Sequence, residues 1–322
     1  MTDAEMKNSR SCNIPVHALV RPTTFISAPR LASYLGIDLI LATETFQCTG
    51  SFKFRAASHV ASSVSQDLLI TASSGNFGQA LAYACSLLEK SSIIVMPSTS
   101  AKVKIDAVRE FGGQVEFVDT RVKSRAEHVN EIARLHPEAY IASAYDDPLV
   151  IEGNSSLGRE IGAFPNRLDI VVAPIGGGGL ISGIITGLGR SESRIRVVGA
   201  EPLTGNDAAQ SLRAGIIVQN KAEPATIADG ARTISLGRCN WEIIRKSLRE
   251  IVEVPETNIR KALRLLFELA NLKAEPTGAL SLAAVMSRPE LFRGHAVCCV
   301  VSGGNVDPSV YLNILEQESQ NN

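Results

Sequence analysis

The chain lacks several patterns that would indicate particular classes of protein. It has 322 residues, of which one is Trp, and aromatic residues make up only 5% of it. Its 32 basic residues are balanced by 33 acidic ones, so the net charge is −1, and no long basic run occurs. A nucleic-acid partner is not expected, because nucleic acids are bound by clustered positive charge.

Long hydrophobic runs and zinc-type cysteine spacings are absent as well. No stretch approaches the roughly eighteen apolar residues of a membrane span, so no membrane partner is expected. The polar first dozen residues, MTDAEMKNSRSC, predict no secretory signal. The cysteines are Cys12, Cys48, Cys85, Cys239, Cys298 and Cys299. They form no CxxC pair, and we therefore expect reduced thiols in a cytoplasmic protein.

The hydrophobic residues, 45% of the chain, occur in strand-length runs that alternate with segments of helical period. Strands are predicted at 67–73, 92–97, 114–120, 139–143, 169–175, 194–202 and at the start of 295–307. Helices are predicted at 77–90, 101–113, 125–137 and 258–273. This alternation indicates an α/β fold with parallel sheets covered by helices. The turn-rich SAYDDP at 143–148 predicts a crossing between two lobes.

Three glycine-containing loops each follow a predicted strand: ASSGNFGQ (72–79), PIGGGGLISG (174–183) and VVSGGNVD (300–307). The first leads into a helix near Asn76, where backbone N–H groups bind anions, although a capped turn is the alternative. Four consecutive glycines in the second favour a backbone wrapped around a phosphate over a purely structural turn. The third presents Ser302 at the sheet edge where α/β proteins bind ligands, or simply caps a turn.

Lys53 lies in a fourth loop, ETFQCTGSFKFRAA (44–57). Its amine is nucleophilic only when neutral, and an apolar pocket favours the neutral form. Phe52 and Phe54 could form such walls, although an alternating backbone would point Lys53 away from both. A phosphate cradle, a reactive lysine and a lone hydroxyl together indicate pyridoxal 5'-phosphate (PLP) as cofactor.

These motifs resemble the serine/threonine dehydratase and serine racemase family of fold-type II PLP enzymes. TGSFKFR, SSGNFGQALAYA, GGGGLISG, AEP, TIADG, EPTGA and SGGN occur in the family's order, over nearly the whole chain. The resemblance implies a two-lobed fold similar to the tryptophan synthase β chain. A large cofactor-binding domain would comprise 1–67 and 147–322, and a small mobile domain 68–146. It also implies a homodimer.

The resemblance further implies a role for each matching residue. Lys53 would form the Schiff base, with Phe52 beside the cofactor ring. Asn76 would bind the phenolic oxygen, Ser302 would contact the pyridine nitrogen, and Glu275 would lie on that side of the ring. The phosphate would be held by the backbone N–H groups of Gly176, Gly177, Gly178 and Gly179. The substrate carboxylate would be held by Ser73, Ser74, Gly75 and Asn76.

A metal site is also implied, because in some relatives a divalent cation binds at the stretch that matches AEPLTGND. The ligands would be Glu201, the carbonyl of Gly205, and Asp207. Oxygen ligands suit Mg²⁺, Ca²⁺ or Mn²⁺, whereas a solvated acidic loop is the alternative.

The implied activity is that of an ammonia-lyase, which converts L-threonine, L-serine or a related β-hydroxy amino acid to a 2-keto acid and ammonia. Serine racemase activity is an alternative, because Ser74 matches the serine that reprotonates the substrate in racemases. Phe77, Tyr145 and the stretch EGNSS (152–156) depart from the family's usual residues near the pocket. A dehydratase specific for 3-hydroxyaspartate or phenylserine is therefore a further alternative.

Two other functions remain open. Cysteine synthases, which are β-replacement enzymes, carry Asp where this chain has Phe54, so that function is disfavoured. A nucleotide-binding regulatory protein that kept the fold and lost the chemistry would bind no cofactor at Lys53.

Overall fold

The computed structural model describes residues 20–100, 102–190 and 194–320, so Cys12 lies outside the described residues. The first elements are β1 (Thr24–Ser27), α1 (Pro29–Leu35), β2 (Asp38–Thr43) and α2 (Lys53–Ser63). Sequence periodicity predicts none of these four, because each is short or interrupted by polar residues.

The next segment alternates parallel strands and helices. It contains β3 (Leu68–Ala72), α3 (Asn76–Leu87), β4 (Ser91–Pro97), α4 (Lys102–Glu110), β5 (Gln114–Val118), α5 (Arg125–Leu135) and β6 (Tyr140–Ile141). The strands form one parallel sheet in the order β5-β4-β3-β6. Every strand and helix predicted between residues 67 and 143 is confirmed, although the last strand shrinks to two residues.

The remainder of the chain builds a larger sheet. It contains α6 (Pro148–Gly162), β7 (Ile170–Pro174), α7 (Gly179–Arg190), β8 (Arg196–Pro202), α8 (Asp207–Ala214), α9 (Arg238–Ser247), β9 (Ile251–Val254), α10 (Glu256–Ala270), α11 (Pro276–Ser287), β10 (Ala296–Val301) and α12 (Pro308–Gln320). Short 3-10 turns lie at Leu203–Gly205, Asp229–Ala231 and Pro289–Leu291. The six strands are ordered β1-β2-β10-β7-β8-β9, and all are parallel except the edge strand β1.

Strand β10 lies inside the larger sheet and is buried along its whole length. Val297, Cys299 and Val301 face a core formed with α10 and α11, whereas Cys298 and Val300 face one formed with α7 and α9. A strand covered on both faces requires a continuous apolar run, which explains the sequence AVCCVV. The carboxyl ends of β2, β10 and β7 therefore meet at one edge, and each leads into a predicted site loop.

Helix α2 packs with the smaller sheet although it precedes the predicted boundary of the small domain. Its residues Phe54, Ala57 and Val60 share a core with Phe77 and Leu81 of α3. The division at residues 67 and 146 remains a prediction, but this packing places Lys53, at the start of α2, between the two sheets. In the described ranges, none of the helices has the length and apolar character needed to cross a bilayer.

Candidate active site

Lys53 is held at the carboxyl edge of β10 by hydrogen bonds between two loops. The backbone N–H of Phe52 donates to the Ser302 carbonyl at 3.0 Å, and that of Gly304 donates to the Gly50 carbonyl at 2.9 Å. The Asn305 side chain donates to the carbonyl of Thr49 at 2.7 Å. Segments 49–52 and 302–305 therefore form one framework, which places the predicted Schiff-base lysine beside the predicted ring-nitrogen ligand.

The environment of Lys53 differs from the expectation of an alternating loop. Lys53 is the first residue of helix α2, and its Nζ donates to the Ala144 carbonyl at 2.6 Å. Nζ lies 5.0 Å from the ring centroid of Phe52 and 5.6 Å from that of Phe77. Phe54 is buried in the core instead. The expectation that Lys53 points away from Phe52 is wrong, because helical geometry replaces alternation here.

Burial lowers the pKa of Lys53 to about 8, against the opposing effect of the Glu275 carboxylate. The charged form of an amine is disfavoured where water is excluded, so burial makes the neutral form accessible near neutral pH. A lysine that is neutral in part at physiological pH is suited to attack an aldehyde.

Helix α2 is fixed to its surroundings by a buried ion-pair network centred on Arg55. The Arg55 side chain donates to Glu44 at 2.6 and 3.0 Å and to Glu160 at 2.7 and 2.9 Å. Glu44 follows strand β2, and Glu160 belongs to α6. Because Arg55 lies two residues after Lys53, this network sets the position from which the lysine extends.

The glycine loop between β7 and α7 leaves its N–H groups available. Among the described residues, no acceptor is found for the backbone N–H groups of Gly176, Gly177 and Gly178. Gly178 has a φ of +94°, which favours glycine, and a Cβ on Gly177 would overlap the ring of Tyr145. Unpaired N–H groups in so confined a loop fit the predicted role of binding a phosphate.

Two buried asparagines hold the carbonyl groups of the same loop. Asn240 donates to the carbonyls of Gly177 at 2.8 Å and Tyr145 at 2.9 Å. Asn154 donates to the carbonyl of Gly179 at 3.1 Å. Asn154 lies in the EGNSS stretch that the sequence places near the pocket, whereas Asn240 has no sequence signal. Neither contact could be read from the sequence.

Ser302 is only 1% exposed, and its hydroxyl has no hydrogen-bond partner among the described residues. A buried hydroxyl without a partner carries a desolvation cost that a bound acceptor or donor would remove. This observation fits a ligand with a polar ring atom beside the loop, as the resemblance implies for the pyridine nitrogen.

Asn76 and Glu275 contact each other across the cleft. Asn76 Nδ2 donates to Glu275 Oε1 at 2.8 Å, and Asn305 Nδ2 donates to Asn76 Oδ1 at 2.8 Å. Asn305 belongs to the quoted SGGN motif, which could have identified it, whereas its contact with Asn76 could not be read from sequence. The three side chains fix the orientation of the amide that is predicted to bind the cofactor.

The two serines of the first loop have different surroundings. Ser73 Oγ accepts hydrogen bonds from the N–H groups of Gly78 at 3.0 Å and Gly75 at 3.3 Å, so it stabilises the start of α3. Ser74 is half-buried, and its hydroxyl has no hydrogen bond to any residue that the structure describes. The predicted substrate contacts of both serines stay predictions, but only Ser74 has an uncommitted side-chain oxygen.

The predicted metal ligands Glu201, Gly205 and Asp207 lie together where β8 leads into α8. Glu201 accepts from the N–H groups of Ala209 at 2.6 Å and Ala208 at 3.2 Å. Asp207 Oδ2 is buried without a partner among the described residues, and burial raises the pKa of Asp207 to about 7 and that of Glu201 to about 8. These oxygens suit a hard cation. In the described part of the chain, no cluster of three or more His, Cys, Asp or Glu side chains forms a metal site.

A reactive lysine, an N–H cradle and an unpartnered hydroxyl at one sheet edge define a PLP-dependent enzyme of the α/β class. The chain belongs to the pyridoxal-phosphate dependent enzyme family, whose model matches residues 16–303. It is 34% identical to an L-threo-3-hydroxyaspartate ammonia-lyase from Pseudomonas sp, over 91% of this chain and 93% of that one. It is 33% identical to the serine racemase of Homo sapiens, over 95% and 92%.

A solved structure with the same fold is a threonine deaminase from T.th. It superimposes with a TM-score of 0.86 at 35% identity, covering 91% of this chain and 96% of that chain. These likenesses confirm the predicted fold-type II architecture and the PLP cofactor, and they place the chain in a family of ammonia-lyases and racemases. The roles of individual residues remain predictions.

Proposed function

We propose that this protein is an ammonia-lyase that uses PLP to eliminate the hydroxyl group of a β-hydroxy amino acid. The proposal rests chiefly on the Lys53 amine, which is partly neutral, walled by two aromatic rings and aimed at the Ala144 carbonyl inside the cleft. When bound, PLP withdraws electrons from the substrate's α-carbon and so makes its proton acidic.

Each part of the site would then have a defined task. The glycine loop holds the phosphate through its N–H groups, and the hydroxyl of Ser302 accommodates the ring nitrogen. Lys53 Nζ removes the α-proton of the substrate, whose carboxylate lies at the start of α3. Phe52 and Phe77 keep water from the lysine. Loss of the β-hydroxyl as water, followed by hydrolysis, releases a 2-keto acid and ammonia.

We propose 3-hydroxyaspartate as the preferred substrate. Its second carboxylate requires a cation, and Arg125, the first residue of α5, is paired only loosely with Glu223 at 3.8 Å. Burial raises the pKa of Tyr145, and the charge of Arg125 opposes this rise. The Tyr145 ring, on which the charge of Arg125 acts, lies against Gly177 of the glycine loop. The 3-hydroxyaspartate ammonia-lyases among the relatives support the same substrate.

The test is a panel of β-hydroxy amino acids scored for keto-acid and ammonia release. We expect the highest kcat/KM with an isomer of 3-hydroxyaspartate, lower values with L-serine and L-threonine, and no turnover by Lys53→Ala. A PLP-loaded enzyme that releases no keto acid from any member of the panel would contradict the lyase proposal. Equal turnover of serine and 3-hydroxyaspartate would contradict only the substrate preference.

Racemisation is the second candidate, because the hydroxyl of Ser74 is uncommitted among the described residues. A hydroxyl near the substrate could return a proton to the α-carbon on the face opposite Lys53. D-serine and pyruvate formed from L-serine should be measured together, with Ser74→Ala as the matched variant. Loss of D-serine with retained pyruvate in that variant would support a racemase activity beside the lyase activity.

A further inference from the structure

A single close ion pair joins helix α4, which flanks the smaller sheet, to the TIADG motif. Lys104 Nζ lies 2.5 Å from Asp229 Oδ2, and the two side chains are 32% and 36% exposed. Asp229 begins the 3-10 turn Asp229–Ala231, which is part of the segment between α8 and α9. The two residues are 125 positions apart, so the contact depends on how the two sheets are placed.

The turn that carries Asp229 supports the cofactor-binding part of the larger sheet. The backbone N–H of Gly230 donates to Thr277 Oγ1 at 2.9 Å, at the start of α11 and two residues after Glu275. A Cβ on Gly176 would lie 2.7 Å from the Gly230 carbonyl oxygen, so the turn is in direct contact with the glycine loop. Asp229 thus links α4 to the loop predicted to hold the phosphate.

Another charged contact spans the same cleft but is weaker. Arg125 lies 3.8 Å from Glu223, with side chains 36% and 55% exposed. The polar contact of Asn76 with Glu275 lies deeper in the site. The Lys104–Asp229 pair therefore combines a short distance with a position outside the predicted catalytic groups.

We propose that Lys104 and Asp229 are positioning residues. Their ion pair holds α4 and the smaller sheet against the glycine loop, and it thereby fixes the distance between the loop 72–79, which contains Ser74, and the predicted phosphate site. This role goes beyond the proposed function, because it does not depend on which amino acid is the substrate. Loss of the Lys104–Asp229 ion pair should loosen the cleft without removing any group that is predicted to touch the cofactor.

A purely electrostatic role, acting through Glu275, makes a different prediction. Burial raises the pKa of Glu275 to about 8, the charge of Asp229 raises it further, and the charge of Lys104 lowers it. Removing the charge of Asp229 would then lower the pKa of Glu275, whereas removing the charge of Lys104 would raise it. A positioning role predicts that both substitutions accelerate hydrogen exchange and PLP release.

The experiment measures hydrogen exchange of α4 and residues 72–76, together with the rate of PLP release, in the holoenzyme. Lys104→Met and Asp229→Asn should each accelerate both processes about three-fold, as expected for a partly screened pair. The exchanged pair, Lys104→Glu with Asp229→Lys, should recover most of the loss. Asp106→Asn is the matched control, because it breaks the Lys102–Asp106 pair within α4 without affecting the cleft.

Three outcomes would overturn the proposal. They are opposite effects of the two single variants, an exchanged pair no better than the single variants, and an equal effect of Asp106→Asn. None of these outcomes bears on keto-acid formation by the wild-type enzyme, so failure here is distinguishable from failure of the proposed function.

Discussion

The lowered pKa of Lys53 predicts how PLP attachment depends on pH. With a pKa of about 8 instead of the ordinary 10.5, the neutral fraction of the amine at pH 7 is about 9% instead of ~0.03%, an increase of about 300-fold. We therefore expect the rate constant for PLP attachment to the apoenzyme to rise with pH and to level off just above pH 8. An ordinary lysine would give a rate that continues to rise tenfold per pH unit.

The perturbation that tests the cause is Glu275→Gln. The carboxylate of Glu275 raises the pKa of Lys53, so its neutral replacement should move the midpoint of the profile to lower pH. Stopped-flow absorbance of the lysine-bound cofactor between pH 6 and 9.5 gives both profiles. The same reaction with Nα-acetyl-lysine corrects for the pH dependence of the aldehyde itself.

Borohydride trapping and peptide mapping identify the lysine that reacts. The adduct should be found on Lys53. Lys90 is the comparison, because its amine likewise donates to backbone carbonyls, those of Ala61 and Val64, and it should carry no adduct. A wild-type profile that rises without levelling to pH 9.5, or a midpoint that moves upward in Glu275→Gln, would refute the reasoning.

Four further predictions concern the substrate, the cofactor, stability and metal. Arg125→Ala should lower kcat/KM for 3-hydroxyaspartate about 10- to 100-fold and that for serine by less than about three-fold, measured by keto-acid release. Gly177→Ala should weaken PLP binding, because its Cβ would overlap the tyrosine ring on that loop, whereas Gly189→Ala, with open space around it, should bind normally in fluorescence titrations. Arg55→Met should cost about 3–5 kcal/mol in urea unfolding, because it leaves a buried carboxylate unpaired. Mg²⁺ should raise the Tm more at pH 8 than at pH 6, and Asp207→Asn should abolish this effect, because the raised pKa of about 7 means that the carboxyl loses its proton only above that pH.

The same buried carboxyl contributes one part of the pH dependence of stability. Because the folded-state pKa of Asp207 is raised from 3.8 to about 7, its contribution to stability is fully present below the unfolded value and is lost as pH rises through 7. Chemical denaturation without divalent cations should therefore show stability falling between pH 4 and 8 from this group. Asp207→Asn should make this fall shallower, and the buried carboxyls of Glu201 and Glu275, whose pKa values are raised to about 8, account for the fall that remains.

Local hydrophobic pattern predicted seven of the ten strands in the described residues, but only four of the twelve helices. Strand β7 and the four glycines that follow it were both predicted, because each depends on interactions between near neighbours. The same applies to β3, the SSGNFGQ loop and α3. The pattern missed β1, α1, β2 and α2 in residues 24–63, and it also missed α6 to α9, β9, α11 and α12.

The surroundings of Lys53 show why the site itself was harder to predict. Sequence neighbours suggested Phe52 and Phe54 as its walls, but Phe54 is buried in the core that α2 shares with the smaller sheet. Phe77 takes that place, although it belongs to a different helix. A helix turns successive side chains by about 100°, so a wall inferred from adjacency depends on a secondary structure that was not yet known.

The sequence by itself determined the class of this protein, because the lysine, the glycine loop and the serine each carry chemistry that their local motif makes visible. Only the tertiary structure decided which groups cooperate. Asn76, Glu275 and Asn305 meet across 199 and 229 residues of chain, and Lys104 meets Asp229 across 125. Such contacts follow from the strand order β2-β10-β7 and from the placement of one sheet on the other. That order is set by the burial of whole strands, and no local pattern records it.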